Sequence, residues 1–346
     1  MAEVADVEET KATGCEADGF FDRQIPLKPE AVEGLMRDGQ IAAYGGPYGM
    51  GKTPSLVDLS VRQLYGLDWC GRKTLQKPVI HYDFESGEAT YLNAVKNICL
   101  RLEIPCPRVP ESLTIRLYQG DMKGPLTSVL HEAMGQGPKA CLELMRKDLQ
   151  EKPNALFICD PVELFLPVNL LDKKEVLKLV RCFRELLAEF PHAILLNTFN
   201  LRKPDPNKGP VTGKILLSDP RRWLVGGHSD LMNRSDVRLG IDQFDDEVRL
   251  INGIRRSEEM NPLFIRPVGN SPENLAGFEL HKPSEVELVA AFSKSQLEYW
   301  RKLPVEFSFD EVAVKVVPKS SLSRLAKRAK ELGILETTNG RWRKLV

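Results

Sequence analysis

The segment Gly46-Pro47-Tyr48-Gly49-Met50-Gly51-Lys52-Thr53 limits what this chain can fold into more than any other. Its spacing, G-x-x-x-x-G-K-T, is that of a loop wrapped around a nucleotide phosphate, and it works only between a strand and a helix. The flanks supply both. Ile41-Ala42-Ala43-Tyr44 is a short apolar run suited to a buried strand, and Ser55 to Val61 has helical spacing. Glycines let several N–H groups converge on one phosphate, and the helix adds the positive end of its dipole. Lys52 would place its charge on the β- and γ-phosphates, and the Thr53 hydroxyl would ligate Mg2+. The competing reading is a glycine-rich turn that matches by chance. Pro54 is compatible with a helix here, because the first turn has no use for its missing N–H.

The rest of the chain alternates strand and helix patterns. Pro78 to Phe84 is rich in β-formers and ends at Glu85-Ser86-Gly87-Glu88; Tyr91 to Leu102 is helical. Ser112 to Tyr118 alternates as a strand, and Leu126 to about Gln150 is helical with a break near Gly135 to Pro138. Ala155 to Cys159 is an apolar run closed by Asp160, Lys174 to Phe190 is an amphipathic helix, and His192 to Phe199 is a further strand. Such alternation predicts an α/β fold with a mostly parallel sheet covered by helices on both faces. Leu250 to Ile254 and Leu263 to Pro267 read as late strands. The expected organisation is a tail over 1–20, too acidic and polar to order itself, a core over 21–268, a Pro-, Asn- and Gly-rich linker over 269–283, and a small domain over 284–346.

That last segment carries eight Lys or Arg against two Glu from Lys319 onward, in a chain of 346 residues whose net charge is zero. Any nucleic-acid surface must therefore be local. A capped helix over Ser320–Lys330, a stop at Gly333 and a turn at Thr338-Asn339-Gly340-Arg341 outline a winged helix, with Arg324, Lys327, Arg328 and Arg341 as its DNA-facing residues. A solvated basic helix capping the core is the other reading. Seven scattered cysteines without a C-x-x-C pair argue against a zinc ribbon and suit a reducing cytoplasm. No apolar run reaches membrane-spanning length.

Three further positions complete a candidate phosphoryl-transfer site. Asp160, at the end of an apolar strand, would orient the magnesium and its water. Glu85, ending the strand after the loop helix, is the candidate general base; as an acid at a helix start it would equally serve the helix dipole. Glu88 and Asp83 are its rivals, with Asp83 expected on the other side of the sheet. Asn197, a polar amide inside an apolar strand, is either a γ-phosphate sensor or bonded to a neighbouring strand. Beyond it the 200–217 loop carries Arg202, Lys203, Lys208 and Lys214, and a loop of that length is usually functional or disordered.

The order of these pieces resembles the RecA-like P-loop ATPases, in particular the hexameric replicative helicase branch with its DnaB-type and plasmid RepA-type members. The resemblance implies a RecA-like core with a C-terminal winged-helix-like module. It implies ATP and Mg2+ as cofactors, Glu85 as base, Asp160 as the Walker B acid and Asn197 as sensor. It makes the Arg202–Lys214 loop a single-stranded DNA contact, and Arg255 and Arg256 the finger that reaches a neighbouring subunit's nucleotide. Gly227 to Val237 loosely matches a further family segment. This chain departs from the family pattern in having Asn at the sensor and Gly253 where a lysine often precedes the finger. The expectation is an ATP-hydrolysing motor or loader acting on DNA of a plasmid, phage or mobile element, assembled as a ring or filament, with duplex DNA or a protein as partner of the C-terminal module. A RecA-type recombinase and an ATP-switched DNA-binding regulator are the rivals.

Overall fold

The structure, a computed structural model, describes residues 27–109, 111–119, 124, 126–166, 172–200, 231, 234–243, 247–255, 258–259, 262–269, 274–282, 294–313, 317–331, 335–338 and 340–344. The N-terminal tail and the Arg202–Lys214 loop, together with the Gly227–Asp230 turn and Arg256, lie outside them.

A small antiparallel pair, β1 (Glu30–Val32) and β2 (Met36–Arg37), precedes the core. The sequence then alternates as expected: β3 (Ile41–Gly46), α1 (Lys52–Tyr65), β4 (Val79–Gly87), α2 (Glu88–Arg101), β5 (Leu113–Gln119), α3 (Ser128–Gln136), α4 (Pro138–Glu151), β6 (Leu156–Asp160), α5 (Val162–Phe165), α6 (Lys173–Glu189) and β7 (Ile194–Asn200). The strands β8 (Val237–Gln243), β9 (Arg249–Arg255), β10 (Glu258–Glu259), β11 (Leu263–Pro267) and β12 (Phe278–Leu280) follow. All ten strands from β3 to β12 share one sheet, in the order β12-β11-β9-β8-β3-β7-β6-β4-β5, with β10 beside β9. From β8 to β5 along that order every pairing is parallel; from β8 to β12 every pairing is antiparallel.

Strand alternation divides the core into two layers. Val79, Leu156, Ile158, Ile194 and Leu196 pack under α1 and α2. Ile80, Tyr82, Phe84, Phe157, Leu195 and Phe199 pack under α4 and α6. The break between α3 and α4 falls where glycine and proline put it: Gly137 ends one helix and Pro138 opens the next. Asp172 caps α6 by accepting the Lys174 N–H at 2.8 Å.

The described part of the segment 269–283, expected as a linker, contains a strand of the core sheet. Within it β12 pairs with β11, Ile265 opposite Leu280 and Pro267 opposite Phe278. Phe278 is buried in the α1 layer, and Arg62 of α1 donates to its carbonyl at 3.3 Å. A short strand held by backbone pairing tolerates the Pro-, Asn- and Gly-rich composition that otherwise reads as a connector.

The C-terminal segment comprises α7 (Lys294–Lys302), β13 (Glu306–Ser308), α8 (Phe309–Ala313), α9 (Lys319–Glu331), β14 (Leu335–Thr338) and β15 (Arg341–Lys344). Its three strands form an antiparallel sheet in the order β13-β15-β14. Its apolar core is not private. Trp300, Phe307, Leu322, Leu325 and Leu335 form one cluster with Val248, with Leu250 of β9 and with Phe264 of β11.

Candidate active site

The phosphate loop leaves β3 at Gly46 and enters α1 at Lys52. A Cβ at Gly46 would stand 2.7 Å from both the Ile241 carbonyl oxygen and its Cγ2, so the close approach of β8 requires glycine there. Gly51 caps α1 at φ +91°, a left-handed geometry open to glycine at no steric cost. Pro54 sits in the first helical turn, where the N–H it lacks would have had no partner. Tyr48 is three-quarters exposed at the loop's tip.

Lys52 is buried, and its Nζ donates to the loop's own carbonyls, Gly46 O at 3.0 Å and Pro47 O at 3.1 Å. Its third bond, 2.7 Å, goes to Oδ1 of Asn200. Burial pushes the ammonium below its ordinary range, while Asp160, Glu85 and Glu163 pull it back.

Asp160 closes β6 in register with Asp83 of β4, and both carboxyls are fully buried. Burial first and the Asp83 charge second raise Asp160 to about 7, while the hydrogen bond from Thr198 and the nearby Thr53 side chain oppose the shift. Asp83 is on the α1 side, not turned away as expected. Alternation places it with Val79 and His81 opposite Tyr82 and Phe84, and its Oδ1 accepts the Glu85 and Ser86 N–H groups at 2.9 and 2.8 Å. Asp83 thus shapes the turn that carries Glu85.

Thr53, next to Lys52 at the start of α1, is near enough to Asp160 to act on its carboxyl, whose Oδ2 is buried with no protein partner. That donor set fits Mg2+, which takes one or two protein oxygens and fills its shell with water and phosphate. Among the described residues no three His, Cys, Asp or Glu gather as an all-protein metal cage.

The sensor expected at Asn197 is not brought here. Asn197 pairs with Ala43 and lies in the α4–α6 layer beside Leu195 and Phe199, its Nδ2 3.4 Å from Leu195 O. The strand runs one residue past Phe199, and the residue that reaches the site is Asn200, in register with Gly46. Asn200 accepts from Lys52 and donates from Nδ2 to Glu85 Oε1 at 3.1 Å. Its backbone N–H donates to Glu163 Oε1, also at 3.1 Å. Thr198, two residues earlier on the same face, bonds Asp160. Glu88 starts α2, past the turn, with no contact to this group among those described.

A family model described as an AAA domain matches residues 7–198, more than half of the chain. The chain belongs to that family. It is a P-loop ATPase: the loop, the mostly parallel sheet and the helices on both faces are the nucleotide-binding core. Family membership implies nucleotide binding, usually with Mg2+. No curated protein matches the sequence. No described helix is long and apolar enough to cross a membrane.

Arg255 ends β9 opposite Val237, and Val237 in β8 is level with Ala42 of β3. Its backbone therefore lies at the amino-terminal end of the parallel strands, about 13 Å along the strand direction from the phosphate loop. Arg324 and Lys327 are exposed on α9, Arg328 lies on the same helix, and exposed Arg341 begins β15, 3.6 Å from Glu311.

Proposed function

We propose that this ATPase is a DNA-dependent motor or loader of RecA or plasmid RepA type, serving replication or maintenance of a plasmid, phage or mobile element. One observation carries the reading: Asn200 bonds both Lys52 and Glu85, and the basic 200–217 segment begins at that residue in the sequence. A γ-phosphate that draws Lys52 away from Asn200 Oδ1 would leave the same amide bonded to Glu85 alone. Nucleotide state and loop would then be linked through one side chain. Arg202, Lys203, Lys208 and Lys214 would take single-stranded DNA phosphates.

Arg255 supports an oligomer. Its backbone stands at the end of the sheet remote from its own loop, so as a finger, with Arg256, it would serve a neighbouring subunit in a ring or filament. The C-terminal order helix, strand, helix, helix, hairpin, with the first strand beside the last, supports a winged helix offering Arg324, Lys327, Arg328 and Arg341 to duplex DNA or a protein partner. The test is phosphate release with and without single-stranded DNA, together with unwinding of a forked duplex. Turnover indifferent to DNA, with no unwinding or loading, would overturn the motor reading. The shared apolar cluster beneath the C-terminal module favours a second reading, an ATP-switched duplex binder. Sequence-specific duplex affinity that changes with ATP would select it.

A further inference from the structure

Glu163, on the short helix that follows Asp160, has no place in the sequence-level site, yet it closes the hydrogen-bonded set around Asn200. One carboxylate oxygen, Oε1, accepts the Asn200 backbone N–H at 3.1 Å. The other, Oε2, is buried with no protein partner. Asn200 is thereby held at three points: its side-chain oxygen by Lys52 at 2.7 Å, its side-chain nitrogen by Glu85 at 3.1 Å, and its main chain by Glu163. Only the third is independent of the Asn200 side-chain rotamer. The last residue of a strand has lost its ladder partners on one side and frays unless something outside the sheet accepts its N–H. Here that acceptor is a carboxylate, and a hydrogen bond to a charged acceptor is stronger than one to a neutral oxygen.

We propose that Glu163 is a positioning residue for ATP hydrolysis: it fixes the main chain of Asn200 and so keeps the Asn200 amide aimed at Glu85 and at the Lys52–phosphate contact. It touches neither phosphate nor attacking water. The inference rests on the reading of Glu85 as base and Lys52 as phosphate ligand. Its position explains why an acid follows Asp160 at this spacing: α5 starts at Val162, so a side chain at 163 in the first turn returns toward the carboxyl ends of β6 and β7.

The test compares Glu163→Ala, which removes the acceptor, with Glu163→Gln, which keeps an oxygen for the Asn200 N–H and removes the charge. Full-length protein is assayed for MgATP turnover, for affinity toward a fluorescent ATP analogue, and for amide hydrogen exchange in the peptide containing Asn200. Glu163→Ala should lower kcat about tenfold or more, the scale of a misplaced active-site group. Nucleotide affinity should stay within about twofold, and exchange at Asn200 should accelerate. Glu163→Gln should recover most of the rate and the protection. Wild-type turnover and protection in Glu163→Ala would overturn the proposal. So would a Glu163→Gln protein as slow as Glu163→Ala with Asn200 still protected, because the charge would then act directly. If the wild-type chain fails to hydrolyse ATP, the catalytic reading falls, while the exchange comparison still reports on the clamp.

Discussion

The two charged groups joined through Asn200 should fail in different ways. Lys52→Ala removes the phosphate-binding ammonium and should abolish ATP binding or turnover; a variant with unchanged hydrolysis would remove the basis for placing ATP here. Glu85→Gln keeps the hydrogen bond to Asn200 and should leave nucleotide affinity intact while slowing hydrolysis about 100-fold, the usual scale for losing a general base. If Glu88→Gln is dead and Glu85→Gln active, the base is misassigned. A third residue tests the buried layer beneath the site. Burial lowers His81 from 6.5 to about 3, and its Nδ1 meets the Tyr91 hydroxyl at 2.8 Å. The unfolded chain binds this proton below about pH 6.5 and the folded chain does not, so the stability it contributes is complete above that pH and is lost as pH falls toward 3. His81→Gln should flatten that part of the acid-unfolding curve, and identical wild-type and variant slopes between pH 6.5 and 3 would refute the assignment. At this scale the sequence was legible where chemistry dictates the pattern, as in the phosphate loop. It was misleading where only contacts decide. In Ile194-Leu195-Leu196-Asn197-Thr198-Phe199-Asn200 both faces are buried, so nothing in the residue types says which alternate faces α1. Asn197 drew attention by being polar, and Asn200 was read as loop because strand ends are set by pairing with β3.

The order of strands and helices was legible because period and punctuation agree: glycine and proline separate α3 from α4, and apolar runs mark β3, β6 and β7. Several strands escaped, β8 of the central sheet and the short β12 among them. In β12 the reason is plain. Three residues carry no periodicity, and they are held by backbone pairing with β11, by the Arg62 bond to the Phe278 carbonyl and by the buried Phe278 ring. Phe278 stands 3.5 Å from where a Cβ on Gly51 would be, so the strand braces the phosphate loop from the α1 side. Phe278→Ala should cost about 3–5 kcal/mol, as buried aromatic truncations do. It should lower the melting temperature and raise the KM for ATP as the loop loosens. A variant that melts and turns over like wild type would show that β12 is dispensable.

For the whole molecule the question is how independent the C-terminal module is. Sequence reading placed a linker before it, which implies that removing it spares the ATPase. The shared cluster implies the reverse. Deleting residues 283–346 would bare Val248, Leu250 and Phe264, at about 1.5–3 kcal/mol for each side chain returned to water. The truncated chain should aggregate or melt early and lose turnover; a soluble, fully active product by gel filtration and phosphate release would restore the linker reading. Assembly is tested separately. Mixing Lys52→Ala protein with an Arg255→Ala/Arg256→Ala variant should recover part of the activity if the arginines act across subunits. No recovery at any ratio, with both variants folded and oligomeric, would assign them a role within their own chain.

The common footing of β9 also bears on inheritance. Many proteins gain or lose a terminal module at a connector, leaving the older domain untouched. Here β9 is at once a strand of the nucleotide-binding sheet, the support for Leu250 beneath the terminal module, and the strand that ends at Arg255. A cut at any point after β8 would leave one partner with half of an apolar surface. A cut before β8 does no better, because Val237, Leu239 and Ile241 of β8 and Ile251 of β9 line the α1 layer; the terminal module and the nucleotide-binding core would therefore have to pass on together, the arginine with them.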